Sequence, residues 1–252
     1  MSGPLGTEVQ TVDLMRGGLQ LLQDPAGFCF GIDAVLLTGF VDPASTGRLL
    51  DLGTGTGVIP ILLTEKTKCT YLAGLEIHAP SARLAQESVR RNGLTDRVEI
   101  VEGDIREAGE IFAAASFDVI TSNPPYFAAG KGRYDPADPR AAARHEILCT
   151  FSDVSRAAAR LLKRGGHFYL VHRPERLPEL LGTLCADGLE PKRLRMVQPF
   201  RESAPNMVLI DCVRGARPSM KTEPALIIYE APGIYTEEVL RIYGMETTEG
   251  HG

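Results

Sequence analysis

Residues 48–65 read RLLDLGTGTGVIPILLTE. The apolar run around Asp51 is short enough for a buried strand. The run after Gly57 is long enough for a helix, whose first turn tolerates Pro60. Three glycines between the two runs let the backbone turn tightly and approach a ligand closely. The stretch therefore predicts a strand, a ligand-binding turn and a helix in succession.

The same alternation of apolar runs and amphipathic stretches continues along the chain. Such a βαβα rhythm is typical of a mostly parallel sheet covered by helices. Further strands are predicted at 71–76, 97–101, 117–121, 167–172, 189–197 and 207–213. Helices are predicted at 58–65, 81–92, 152–162 and 174–186. The expected fold is α/β, with a seven-stranded, mostly parallel sheet, helices on both faces and the last two strands antiparallel to each other.

The chain divides into three expected segments. Residues 1–46 are expected to form an N-terminal cap, 47–215 the main domain and 216–252 a C-terminal extension. Residues 19–40 and 127–146 fall outside the strand–helix rhythm. A long connection without regular structure is uncommon inside a compact domain and is usually a functional loop.

The composition is that of an ordinary globular protein. Of 252 residues, 44% are apolar and 23% are charged, which excludes a disordered chain. The apolar runs are shorter than the roughly 20 residues that span a bilayer, and the N-terminus lacks the order of a signal peptide. We therefore expect a cytoplasmic protein with no membrane segment. The cysteines and histidines are dispersed, which indicates buried free thiols and predicts no metal site.

The formal net charge of −5 argues against indiscriminate binding to nucleic-acid backbone. The charge is uneven, however, because two acidic residues but seven basic ones lie from Pro191 to Lys221. The basic residues are Lys192, Arg193, Arg195, Arg201, Arg214, Arg217 and Lys221. A local basic face on an acidic protein suits one defined nucleic-acid partner; an ordinary solvated surface is the alternative.

The glycine-rich turn predicts S-adenosyl-L-methionine as the cofactor. Its glycines are spaced G-x-G-x-G, unlike the G-x-G-x-x-G of dinucleotide enzymes, and no Lys-Ser/Thr follows as in nucleoside-triphosphate loops. Asp51 would repel a pyrophosphate but would attract the ammonium group of a methionyl moiety. The predicted cofactor contacts in this turn are Asp51, Gly53, Thr54, Gly55 and Gly57.

Two more carboxylates follow the next predicted strands. Glu76 can accept hydrogen bonds from both ribose hydroxyls, and Asp104 is placed to accept one from the adenine amino group. Ile77 and Ile105 could hold the adenine ring between them. Each acid alone could equally be a helix cap or a turn residue. Together, at the ends of successive strands, they favour the cofactor, since open α/β sheets bind ligands at the carboxyl ends of their strands.

Residues 123–126 read Asn-Pro-Pro-Tyr and follow the fourth predicted strand. An exocyclic ring amine is a weak nucleophile because its lone pair is delocalised into the ring. The side-chain oxygen of Asn123 and the carbonyl of Pro124, stiffened by Pro125, can each accept a hydrogen bond from one N–H of the amine. These two bonds make the lone pair of the amine nitrogen available for attack. Tyr126 can stack on the target ring, and Asn123 also lies beside the cofactor. A plain rigid turn is the alternative.

A block at residues 28–37 precedes the glycine-rich turn and reads FCFGIDAVLL. Its apolar residues recur with helical spacing, which predicts a packed helix. In addition, we expect Phe30 and Asp33 to cap the methionine end of the cofactor.

These motifs, the run Leu19–Gln23 and the tail together resemble the tRNA(Val) adenine-N6 methyltransferase family. The tail segments concerned are Leu226–Tyr229, Tyr235–Val239 and Ile242–Gly244. The resemblance implies a Rossmann-like class I methyltransferase fold and N6-methylation of the adenine 3′ of the anticodon in a valine tRNA. It also implies that Asn123 and Tyr126 are catalytic and that Asp51, Glu76 and Asp104 hold the cofactor.

The segment at 127–146 is a candidate RNA-facing lid, with a disordered surface loop as the alternative. Its predicted RNA contacts are Lys131, Arg133, Arg140 and Arg144. Protein glutamine N5-methyltransferases share the Asn-Pro-Pro-Tyr sequence, but they carry a longer N-terminal helical domain than the 47 residues before the first predicted strand. A non-catalytic module that binds cofactor and RNA is the third hypothesis. The sequence gives no indication of the oligomeric state.

Overall fold

The computed structural model describes residues 9–25, 30–124 and 149–245. The strands are β1 (Gln10–Asp13), β2 (Gln20–Gln23), β3 (Thr46–Leu52), β4 (Lys68–Glu76), β5 (Val98–Glu102), β6 (Phe117–Ser122), β7 (Leu162–His172), β8 (Leu189–Gln198), β9 (Met207–Arg214), β10 (Lys221–Ile227), β11 (Tyr229–Ala231) and β12 (Ile234–Tyr235). The α-helices are α1 (Ile32–Phe40), α2 (Val58–Lys66), α3 (Ala79–Arg91), α4 (Ala108–Ile111), α5 (Phe151–Leu161), α6 (Leu177–Ala186) and α7 (Glu237–Tyr243).

One eight-stranded sheet organises the described part of the chain. Its strand order is β10-β8-β9-β7-β6-β3-β4-β5, and two separate pairs, β1-β2 and β11-β12, lie outside it. All neighbouring pairs are parallel except those that involve β9, which runs antiparallel to β7 and β8. Seven strands therefore have their carboxyl ends on the same side, which we call the carboxyl end of the sheet; the opposite side is its amino end.

The sheet separates two hydrophobic clusters. One packs α1, α2, α3 and α7 against one face, and the other packs α4, α5 and α6 against the opposite face. Neighbouring residues of β3 illustrate the division, because Leu49 belongs to the first cluster and Leu50 to the second. This alternation is what the period of two along a strand requires when both faces are covered.

The predicted α/β fold with helices on both faces is confirmed, and the seven predicted strands all form. The two strands predicted to be antiparallel to each other, β8 and β9, are so paired. The sheet is one strand wider than predicted, because β10 pairs parallel with β8. Pro224 hid this strand from sequence reasoning, since proline cannot donate to a ladder. The register shifts between Glu223 and Leu226, and Arg195 Nε donates to the Pro224 carbonyl at 2.9 Å.

The N-terminal segment packs on the helices of the first face. The β1-β2 hairpin is tied to α3 by Leu22 N–H, which donates to Ser88 Oγ at 2.9 Å, and by Asn92, which exchanges hydrogen bonds with the backbone of Gln20 at 2.6 and 2.9 Å. Helix α1 lies against α2, α7 and β7. Within the described ranges, no helix combines the length and hydropathy that crossing a membrane requires.

Candidate functional site

Four of the predicted site residues lie at neighbouring strand ends. Asp51 is the penultimate residue of β3, Glu76 ends β4, Asp104 follows β5 and Asn123 follows β6. Strands β5, β4, β3 and β6 are adjacent in that order, and all are parallel. The fold therefore brings these side chains to one continuous stretch of the carboxyl end of the sheet.

The glycine-rich turn is tied to β4. The N–H groups of Gly53 and Thr54 both donate to the Leu75 carbonyl, at 2.9 and 3.0 Å. Gly53, Gly55 and Gly57 have φ values of 74°, 57° and 86°, a region that favours glycine. A Cβ at Gly55 would meet no described atom within 4 Å, whereas one at Gly57 would lie 3.0 Å from the Ala85 Cβ. The turn thus leaves open space at Gly55 and packs tightly on α3 at Gly57.

Asp51 is a completely buried carboxylate, and among the described residues only one of its two oxygens has a hydrogen-bond partner. Thr121 Oγ1 donates to Asp51 Oδ1 at 2.7 Å, while Asp51 Oδ2 and the buried Thr54 Oγ1 have no hydrogen-bond partner among the described residues. Burial raises the pKa of Asp51 to about 7; the nearby hydroxyls of Thr121 and Thr54 oppose the rise, and the charge of Glu76 adds to it. A buried carboxylate oxygen without a donor suits a cationic ligand group.

Glu76 joins the turn to the segment after β4. Its Oε2 accepts from Gly55 N–H and its Oε1 from His78 N–H, both at 2.7 Å. Two backbone bonds fix the carboxylate plane. Each oxygen has a second lone pair, so the group can still accept from two ligand hydroxyls.

Asp104 is already engaged by a neighbouring arginine. It caps the 3₁₀ turn Ile105–Glu107 by accepting from Arg106 N–H at 2.8 Å, and it forms an ion pair with the Arg106 guanidinium. This pairing lowers the pKa of Asp104. The capping role that the sequence left open for this acid is therefore observed, and an adenine amino group would share the carboxylate with Arg106.

The two predicted ring contacts differ in exposure. The Ile105 side chain lies over the glycine-rich turn, because its Cδ1 is 3.8 Å from the position of a Cβ on Gly53. Ile77 is 46% exposed and directly follows Glu76. A large exposed aliphatic side chain beside a glycine-rich turn is available to cover a planar ligand.

Asn123 and Pro124 are placed by hydrogen bonds of the residues just before them. Ser122 Oγ donates to the Leu52 carbonyl at 2.9 Å, and Thr121 donates to Asp51, so the end of β6 is fixed to the end of β3. Asn123 is partly buried beside these contacts. The remaining predicted catalytic and RNA-binding residues lie outside the described residues: Pro125, Tyr126, Lys131, Arg133, Arg140 and Arg144.

The predicted cap residues Phe30 and Asp33 lie before and within the first turn of α1. Phe30 N–H donates to Gln23 Oε1 at 3.0 Å, and its ring packs on the first hydrophobic cluster. Helix α1 ends toward the amino end of the sheet, where Asp42 lines a cavity with Thr46. Its first turn, with Asp33, therefore points toward the carboxyl end.

Several of the basic residues from Pro191 to Lys221 make contacts within the fold. Arg193 pairs with Glu223 at 2.7 Å and Arg195 pairs with Glu238 at 2.7 Å, so both are neutralised within the fold. Lys192 donates to the Arg217 carbonyl near the amino end of the sheet, away from Asn123. Arg193 and Arg195 therefore have carboxylate partners within the fold, and a basic nucleic-acid face formed by the remaining residues stays a prediction.

Two contributors to the site were missed by sequence reasoning, Thr121 and Arg106. Thr121 is a polar residue that follows the apolar pair Val119 and Ile120 near the end of a predicted strand, and this polar position beside the Asn-Pro-Pro-Tyr sequence is the signal that could have revealed it. Arg106 stands two residues after Asp104, a spacing that permits local pairing.

The sequence model of the methyltransferase small domain family matches residues 29–183. A curated "tRNA1(Val) (adenine(37)-N6)-methyltransferase" from Tolumonas auensis is 30% identical over 221 residues, covering 87% of this chain and 90% of that protein. A protein of the same name from Porphyromonas gingivalis is 30% identical, covering 84% of this chain and 86% of that protein. These relatives are therefore similar along most of the chain.

Solved structures show the same architecture. A predicted O-methyltransferase from Agrobacterium tumefaciens superposes with a TM-score of 0.68 at 20% identity, covering 84% of this chain and 95% of that chain. Geranyl diphosphate C-methyltransferase from Streptomyces coelicolor A3(2), solved with S-adenosyl-L-homocysteine, gives 0.55 at 14% identity, covering 73% and 77%. At these identities the likeness is one of fold, and it confirms the expected Rossmann-like class I architecture.

Proposed function

The chain belongs to the methyltransferase small domain family, and we propose that this S-adenosyl-L-methionine-dependent enzyme methylates N6 of an adenine in tRNA. The proposed nucleotide is the adenine 3′ of the anticodon in a valine tRNA; the relatives that are 30% identical over most of the chain are named for N6 of adenine 37 in tRNA1(Val). The structural observation that carries the proposal is the placement of Asp51, Glu76 and Asn123 on adjacent parallel strand ends.

The residues of the glycine-rich turn fit the cofactor. Asp51 Oδ2, buried and without a partner among the described residues, suits the ammonium group, and Glu76 has lone pairs for the ribose hydroxyls. The open space at Gly55 allows close approach of a ligand to the backbone. When bound, S-adenosyl-L-methionine supplies an electrophilic methyl group.

Asn123 and Pro124 are the proposed acceptors for the substrate amine. The two N–H groups of the amine donate to the Asn123 side-chain oxygen and to the Pro124 carbonyl. Together these hydrogen bonds draw the nitrogen out of conjugation with the ring and direct its lone pair toward the cofactor. Fixed acceptors of this kind stabilise developing charge without reorganisation. The proton is released after transfer, so the mechanism needs no strong general base.

A tRNA loop is the proposed macromolecular partner. Loop nucleotides are already unstacked in part, which lowers the cost of swinging a base into an enzyme pocket. Tyr126 remains the predicted stacking partner, and Lys131, Arg133, Arg140 and Arg144 the predicted phosphate contacts. A tRNA substrate implies that the enzyme acts in the cytoplasm.

The proposal is tested with unmodified transcripts of valine tRNA, labelled S-adenosyl-L-methionine and nucleoside mass spectrometry. We expect N6-methyladenosine at the adenine 3′ of the anticodon and no product when that adenine is replaced by guanine. Methylation of a release-factor peptide with none of tRNA would favour the glutamine enzyme instead. Binding of cofactor and RNA without any transfer would favour the non-catalytic module.

A further inference from the structure

Thr121 and Asp51 form a side-chain pair that lies wholly inside the protein. They face each other across β6 and β3 in register, and neither side chain is exposed to solvent. The Thr121 hydroxyl donates to Asp51 Oδ1 at 2.7 Å. Burial of a hydroxyl and a carboxylate costs free energy unless hydrogen bonds compensate, whereas burial of the apolar residues around the pair is favourable.

The hydrogen bond distinguishes the two oxygens of Asp51. A hydroxyl has one proton to donate, and Thr121 uses it on Oδ1. The other oxygen, Oδ2, is buried and has no partner among the described residues. The bond therefore fixes the rotation of the carboxylate and leaves Oδ2 for a ligand, with the Thr54 hydroxyl near enough to lower the pKa of Asp51 but not hydrogen-bonded to it.

We propose that Thr121 is a positioning residue for cofactor binding, which holds the Asp51 carboxylate in one orientation and presents its Oδ2 to the ammonium group of the cofactor. The inference rests on the proposed function only in taking Asp51 as the contact of that group. It concerns binding alone and makes no assumption about the RNA.

The electrostatics of the site give the Thr121 hydroxyl a measurable role. Burial raises the pKa of Asp51 to about 7, and Glu76, the charged side chain on the neighbouring β4 that acts on it, is also negative. The hydroxyls of Thr121 and Thr54 favour the anion and oppose both effects. Loss of the Thr121 donor should therefore raise the pKa of Asp51 further, so that a larger fraction of the acid is neutral at pH 7 and does not attract a cation.

The same strand end also holds the proposed substrate acceptor. Ser122 pairs with Leu52, and Asn123 follows immediately. Thr121, which holds Asp51, therefore lies two residues before Asn123, whose amide is proposed to receive the substrate. A shift of β6 against β3 would disturb both.

The test measures binding of S-adenosyl-L-homocysteine by calorimetry from pH 5.5 to 8.5, without RNA. Thr121→Val removes the donor at nearly constant volume. We expect its affinity at pH 7 to fall about tenfold, the size of one hydrogen bond to a charged group. The pH midpoint of binding should rise by about one unit, so that much of the loss is recovered at pH 8.5. Thr121→Ser should restore both the affinity and the midpoint.

Two further variants serve as controls for the effect of Thr121→Val. Ser122→Ala removes a buried hydroxyl on the same strand that bonds to a backbone carbonyl, and it should leave the midpoint unchanged. Asp51→Asn should bind weakly at every pH, with no midpoint near 7. An unchanged midpoint in Thr121→Val, or equal losses at all pH values in Thr121→Val and Ser122→Ala, would overturn the proposal. A midpoint that persists in Asp51→Asn would overturn it as well. Failure of tRNA methylation alone would count against the proposed function and not against this inference.

Discussion

Asn123 directly follows β6 and lies beside the Thr121–Asp51 pair. If its amide oxygen accepts from the substrate amine, Asn123→Ala should lower kcat about 100- to 1,000-fold, as loss of one fixed polar partner does in other enzymes. Binding of S-adenosyl-L-homocysteine should change little, because Asp51 and Glu76 remain. Asn123→Asp retains an acceptor oxygen and should lose less activity. Single-turnover rates and calorimetry measure the two effects; equal rates for Asn123→Ala and the wild type would exclude the assigned role.

His172, the last residue of β7, makes the protein less stable as the pH falls, whereas Asp51 makes it less stable as the pH rises. It is buried, its Nδ1 accepts from Arg173 N–H at 2.7 Å, and burial lowers its pKa to about 4. The unfolded chain therefore binds more protons than the native protein between about pH 4 and 6.5, so stability is lost as pH falls through this range. The loss at pH 4 should be on the order of 2–3 kcal/mol.

The variant His172→Gln isolates this contribution, because it keeps an acceptor for Arg173 but does not titrate. Urea unfolding at pH 4.5 and 7 should show a smaller loss of stability for the variant than for the wild type. Asp51, whose raised pKa makes stability fall as pH rises, contributes equally to both proteins and cancels. Parallel pH profiles would show that His172 is not neutral in the native state.

At the scale of elements, the glycine-rich turn between β3 and α2 offers a matched pair of substitutions. Gly55 and Gly93 have φ values of 57° and 66°, and a Cβ at either meets no described atom within 4 Å. Alanine should therefore cost each roughly 1–2 kcal/mol of backbone strain. Only Gly55→Ala places a methyl group at the proposed cofactor, so its affinity for S-adenosyl-L-homocysteine should fall at least about tenfold while Gly93→Ala binds normally. Thermal melting and calorimetry compare them; equal affinities would place the cofactor away from this turn.

The elements that the sequence predicts correctly are those whose signals are local. The strand, turn and helix of residues 48–65 follow from glycine spacing and apolar runs, and parallel strands then require Asp51, Glu76 and Asn123 to share one end of the sheet. The Thr121–Asp51 bond joins residues 70 positions apart, so it depends on the register of β6 against β3. Strand β10 was missed because Pro224 contradicts the local strand pattern; the ladder shifts register around this residue, and the side chain of Arg195 pairs with its carbonyl.

At the scale of the whole molecule, the C-terminal segment and the sheet share one core. Val239 of α7 is completely buried in the first hydrophobic cluster. A Cβ on Gly39 of α1 would lie 2.8 Å from Ile242 Cγ1, so α1 and α7 are in close contact. The tail therefore packs against the helix that carries Asp33, the residue predicted to cap the methionine end of the cofactor.

The guanidinium of Arg195 joins the tail to the sheet, so its loss should affect the stability of the whole molecule. Arg195 of β8 binds Glu238 of α7 through two bonds, at 2.7 and 2.9 Å, and also the Pro224 carbonyl of β10. Arg195→Ala should lower the free energy of unfolding by roughly 1–2 kcal/mol, since a bidentate, partly buried pair and a backbone bond are lost. Arg241→Ala is the control, because its ion pair with Glu237 is 3.8 Å long and two-thirds exposed, and the change should stay within about 0.5 kcal/mol.

Both variants should still unfold in one transition if the tail and the sheet are a single cooperative unit. The chain has no tryptophan, so a Tyr235→Trp substitution gives a fluorescence signal from the tail alone, where Tyr235 stacks between Tyr229 and Tyr243. Urea titrations of this labelled protein, followed by tryptophan fluorescence for the tail and by circular dichroism for the sheet, should give coincident curves if the two form one unit. A fluorescence transition that precedes the loss of circular dichroism would instead show that the tail detaches before the sheet unfolds, and the support it gives to α1 would then be weak.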